Sequence, residues 1–100
     1  MAAKPKKKIA KLAKFDAAEF LDDEAAIAEY LNAALAEDNP AVFLAAVSDV
    51  VRARGISAVA AQTGLGRESL YKTIAPGAQP RYETVMRLVR AMGVRLLVAA

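Results

Sequence analysis

Between Gly66 and Thr73 five hydrogen-bonding side chains, Arg67, Glu68, Ser69, Tyr71 and Lys72, flank one apolar residue, Leu70. A guanidinium can bond the major-groove edge of guanine through two N–H groups. A carboxylate can accept from cytosine, and lysine and tyrosine can hold phosphate oxygens. Catalysis has far less to work with. The 100 residues include no histidine and no cysteine, which removes the commonest general base and any thiolate nucleophile or metal ligand. An enzyme would have to rest on Asp22, Asp23 and Glu24, or on Ser69 with Lys72, and neither set is joined by a phosphate-cradling loop. Three acids at the start of a helix also have a plain explanation in the helix dipole. The expectation is a non-enzymatic protein without a metal or cofactor.

Side chains meant for a groove must stand on a short helix held clear of its scaffold. The preceding residues, AVAAQTGLG, provide for that. Ala60 is small enough for two helices to touch, Gly64 tolerates the positive φ of a tight turn, and Val59, Leu65 and Leu70 can anchor the pair. Ser57 is placed to cap a first helix ending near Thr63, and a second spans residues 67–74. Free N–H groups at Gly66 or Arg67 suit a phosphate. The expected DNA-contacting set is therefore Ser57, Gly66, Arg67, Glu68, Ser69, Tyr71 and Lys72, with Arg81 ahead of the next helix. Spacing alone also fits an ordinary helical bundle; flanking helices and charge favour the helix-turn-helix.

Helix formers dominate elsewhere, and the expected fold is all-α: a small helical bundle containing a helix-turn-helix, with a short C-terminal β-strand. Asp16 and Glu19, with Phe15 and Phe20, read as a capped helix start. Ile27, Tyr30, Leu31, Ala34 and Leu35 make one apolar stripe on a helix over roughly residues 23–37. Asn39 and Pro40 open a further helix with Phe43, Val47, Val50 and Val51 inward, closed by Gly55 as a left-handed cap. A last helix, residues 82–92, buries Val85, Leu88, Val89 and Met92. In residues 94–98, VRLLV, Val94, Leu96 and Val98 alternate with Arg95 and Leu97, as in a strand.

The net charge of +3 conceals a segregation. Residues 1–14 hold six lysines and no acid, residues 15–50 hold nine acids and no base, and residues 51–100 hold eight bases and two acids. Blocks of opposite sign suggest one anionic and one cationic partner. Residues 1–14 read as a basic, disordered tail and residues 15–100 as a single domain. No apolar run reaches the roughly 20 residues that span a bilayer, and the lysine-rich start lacks the apolar stretch of a signal peptide, so a soluble, cytoplasmic protein is expected, without a membrane partner.

Three stretches, FDAAEFLDDEAAIAEYLNAAL, FLAAVSDVVRARGISAVAAQTGLGRESLYKTI and PRYETVMRLVRAMGVRLLV, together carry a family resemblance. Over residues 15–98 the chain resembles the addiction-module antidote family, HigA-like antitoxins with an Xre/Cro-type helix-turn-helix. Gly66 stands where that family more often has a serine. The resemblance implies an antitoxin, commonly a homodimer, that binds double-stranded operator DNA, represses its own operon and neutralises a toxin of the RelE/ParE superfamily. Such a toxin, an mRNA-cleaving endonuclease in the HigB-like members, needs a cationic groove. Asp16, Glu19, Asp22, Asp23, Glu24, Glu29 and Glu37 are the residues expected to meet it. The alternative is a stand-alone Xre-type repressor without a toxin, which would have no use for so acidic a block.

Overall fold

The computed structural model describes Leu21 and residues 23–100, which form five helices and no strand. The basic tail, the helix start at Asp16 and Glu19, and Asp22 lie outside the described residues.

Helix α1 spans Glu24–Leu35 and α2 spans Pro40–Arg54. Asp23 caps α1 by accepting the Ala26 N–H at 2.8 Å, and Asn39 caps α2 by accepting that of Ala41 at 2.9 Å. Each cap satisfies one donor that a helix start leaves open. Pro40 occupies the first turn of α2, where no N–H is needed, as its position in the sequence suggests. The turn between them places Asp38 at φ 58°, a conformation that aspartate tolerates better than most residues. So short a connection folds α2 back along α1, and Tyr30 donates its hydroxyl to Asp49 across the seam.

Ile27, Leu31 and Ala34 are buried on α1, and Ala46, Val47, Val50 and Val51 on α2. The expected stripes are correct at their centres and wrong at their edges. Tyr30 and Phe43 are only partly buried, and Leu35, the last residue of α1, is 45 % exposed. Gly55 ends α2 at φ 100°, ψ 129°. Its φ is positive, but its ψ lies outside the left-handed helical region expected for it.

Helix α3 spans Ile56–Thr63, α4 spans Arg67–Thr73 and α5 spans Tyr82–Ala91. Packing centres on α3, which touches α2, α4 and α5; α2 also meets α5, and α1 packs chiefly on α2. Val85, Leu88, Val89 and Met92 are buried as the sequence pattern predicts, with Arg87 and Arg90 on the opposite, exposed side.

Past α5 the expected strand is absent. Residues 94–98 carry no ladder, since a strand needs a second strand and the neighbours are helices. The alternation also fails at its end: Val94 is half-buried, Leu97 is 79 % exposed and Val98 wholly exposed. Gly93, at φ 83°, is doubly constrained. A Cβ there would lie 2.6 Å from Glu24 Cγ, so the start of α1 rests on the end of α5. Arg54 reaches the same point, donating from Nη2 to the Met92 carbonyl at 3.3 Å, while its buried Nε has no acceptor among the described residues.

The Tyr30–Asp49 contact gives a pH prediction. Burial first, then the hydrogen bond and the charge of Asp49, hold the Tyr30 phenol above its ordinary pKa of 10.0. A folded-state pKa raised above the unfolded value contributes stability that is intact below about pH 10 and is lost as pH climbs past it. Tyr30→Phe should cost about 1 kcal/mol at pH 8. It should also flatten the loss of stability between pH 9 and 11. Urea midpoints across that range test this; parallel curves for the two proteins would contradict it.

Candidate nucleic-acid interface

The polar stretch stands on α4, and the local sequence explains how. Helix α3 ends because Gly64 turns into the left-handed region, φ 77° and ψ 3°, while its N–H donates to the Ala60 carbonyl at 3.0 Å. Thr63 straps the turn from the side. Its hydroxyl donates to the Val59 carbonyl at 2.8 Å and accepts the Leu65 N–H at 3.2 Å. Sequence reasoning missed this residue; a threonine directly before a helix-stopping glycine was the available signal. Gly66 then starts α4 in an extended conformation, φ −68° and ψ 157°, that any residue adopts. Its carbonyl accepts the Leu70 N–H at 2.9 Å, but it offers no side-chain cap.

Helix α4 has seven residues, of which Leu70 alone is fully buried. Ile74, just past its end, is also in the core. Val59 is buried beneath the pair, and Ala60 and Leu65 pack at its edge. Of the other six residues, Arg67, Glu68, Ser69, Tyr71 and Lys72 are exposed, with Tyr71 at 47 %, and Thr73 is half-buried. Glu68 lies in the first turn and Lys72 in the last, each complementing the helix dipole.

One member of the expected set is placed differently, and another stands off α4 in the chain. Ser57 is not a cap: Gly55 holds that position, with no side-chain bond, and Ser57 lies exposed in the first turn of α3. Arg81 occupies the cap position of α5, ahead of that helix, exposed and extended.

The acidic set divides likewise. Asp16, Glu19 and Asp22 lie outside the described residues. Asp23, Glu24, Glu29 and Glu37 are exposed on α1 and the turn after it. Asp23 also caps α1, and Glu24 lies against Gly93. Asp49, a ninth acid of the block, is engaged by Tyr30. Since α1 packs chiefly on α2, and α4 on α3, the acidic and basic surfaces occupy different parts of the molecule.

What these features define is a small helical protein with a thinly anchored, polar helix on one side and an acidic helix on another. No helix among the described residues is long and apolar enough to cross a membrane. The family model for a probable addiction module antidote protein matches residues 11–100, and the chain belongs to that family. It is thus an antidote, or antitoxin, of an addiction module, whose counterpart is a toxin. A protein of Haemophilus influenzae (strain ATCC 51907 / DSM 11121 / KW20 / Rd), described as an uncharacterized protein, is 40 % identical over 84 residues, 84 % of this chain and 87 % of the relative. No solved structure matches the chain significantly.

Proposed function

We propose that this antitoxin represses its own operon by placing α4 in the major groove of operator DNA, and neutralises a RelE/ParE-superfamily toxin through its acidic α1 side. It would act in the cytoplasm, as a homodimer and as a single domain over residues 15–100. The observation that carries the DNA reading is the construction of α4: one buried leucine, five outward polar side chains, and a left-handed glycine turn joining it to α3. In a helix-turn-helix the second helix needs such an anchor and such a face. The acidic side supports the toxin reading, because a protein that closes a phosphate-binding groove benefits from the opposite field.

The test has two arms. The purified chain should retard DNA taken from upstream of its own gene, and co-expression should rescue cells poisoned by the product of the neighbouring reading frame. Rescue without any DNA retardation at low salt would sink the repressor reading and leave a pure toxin antagonist. Retardation without rescue would favour a stand-alone repressor.

A further inference from the structure

Gly64, Leu65 and Gly66 join α3 to α4, and Leu65 brings the only side chain to that connection. A backbone with two glycines in three positions is free to swing. A helix that reads a groove has to enter it at a fixed angle, because a hydrogen bond to a base edge weakens steeply with misalignment. Few contacts can hold α4 to such an angle. Leu70 and Ile74 are buried and keep it down on the core, but apolar contact has no direction of its own. Gly66 supplies no side-chain cap, and the Gly64 N–H is spent on the Ala60 carbonyl within α3. We propose that Thr63 is the positioning residue: its hydroxyl sets the angle of α4 to α3, and so governs operator affinity without touching DNA.

Thr63 is the last residue of α3 and is 9 % exposed. Its hydroxyl donates to the Val59 carbonyl at 2.8 Å, with the Ala60 carbonyl a second acceptor at 3.5 Å, and accepts the Leu65 N–H at 3.2 Å. One oxygen therefore ties the last turn of α3 to the middle of the connection. Among the described residues it is the only side chain that hydrogen-bonds to residues 64–66. Threonine suits the task, since its β-branch leaves two common rotamers in a helix and the bond to Val59 selects between them. Burial keeps the hydroxyl away from phosphate and base, so any effect on DNA binding passes through α4. The effect on affinity rests on the repressor reading above, whereas the effect on the angle rests on the fold alone.

Two substitutions in the full chain separate the hydroxyl from the rest of the side chain. Thr63→Val keeps the shape, removes both bonds and leaves the Leu65 N–H without its acceptor. Thr63→Ser keeps the hydroxyl. At a temperature where melts show every variant folded, Thr63→Val should bind operator DNA about tenfold more weakly than wild type, and Thr63→Ser within about twofold of it. Residual dipolar couplings of the backbone amides report the angle directly. In wild type α3 and α4 should fit one alignment tensor, and in Thr63→Val the couplings of α4 should shrink while those of α3 and α5 stay. Gly66→Ala supplies a rescue. A Cβ there meets nothing within 4 Å, and the extended backbone suits any residue, so alanine stiffens the connection by another route. Added to Thr63→Val, it should restore part of the α4 couplings. If Thr63→Val lowers the melting temperature but leaves couplings and affinity at wild-type values, Thr63 is plain scaffold and the proposal is overturned. A Thr63→Ser variant as weak as Thr63→Val also overturns it, by assigning the effect to the methyl group. Should wild type bind no operator DNA, the repressor reading falls, and the couplings alone decide whether the hydroxyl sets the angle.

Discussion

Replacing Arg67 and Tyr71 by alanine is expected to weaken binding to operator DNA by about 1–3 kcal/mol for each residue, roughly 5- to 150-fold, without unfolding the protein. Both side chains project from α4 into solvent and neither has a hydrogen bond to lose among the described residues. Surface substitutions of this kind usually change stability by less than about 0.5 kcal/mol. Leu70→Ala supplies the contrast. That side chain is wholly buried and is the main apolar anchor of α4, so its loss should cost about 2–5 kcal/mol of stability. Mobility shifts against operator DNA, paired with thermal melts, distinguish the two outcomes. If the Arg67 and Tyr71 variants bind as wild type does, α4 is not the reading helix. If they bind weakly only because they melt early, the loss reports on the scaffold.

The second large effect is expected in toxin capture. Asp22→Asn, Asp23→Asn, Glu24→Gln and Glu29→Gln together should slow association with the toxin about tenfold or more at low ionic strength, with DNA binding preserved. These substitutions remove charge and keep shape. Asparagine caps a helix as well as aspartate does, so the bond from the Ala26 N–H to residue 23 survives. Glutamine can lie against Gly93 as Glu24 does. The rate deficit should shrink as salt rises, since roughly 0.15 M salt screens exposed charges beyond about 8 Å. A capture rate indifferent both to salt and to all four substitutions would make the acidic side plain solvated surface.

Much of the fold was legible because its causes are local. Asn39 followed by Pro40, Gly64 after a short helix, and the spacing of Val85, Leu88, Val89 and Met92 each act within a few residues, so the sequence exposes them directly. The polar face of α4 was legible for the same reason, since one leucine among five polar residues leaves little choice of side. The failures were of another kind. The C-terminal alternation was real, but a strand requires a partner, and nothing in residues 94–98 reports whether one exists. Asp49 counted as one more surface acid until Tyr30, 19 residues away, engaged it. Arg54, in the last turn of α2, reaches Met92, 38 residues on. Contacts of that length leave no period in a sequence.

The slender attachment of α4 has a consequence for how the molecule breathes. A seven-residue helix is too short to persist unaided, and this one rests on Leu70, with glycines at positions 64, 66 and 77 around it. Its amides should therefore exchange with deuterium through a local opening, well before those of α2, whose Val50 and Val51 lie deep in the core. Operator DNA, by holding α4 shut, should slow exchange there selectively. The protected segment would then mark the reading helix even where no base contact has been identified. Equal slowing across α2 and α4 would instead mean that DNA tightens the whole domain.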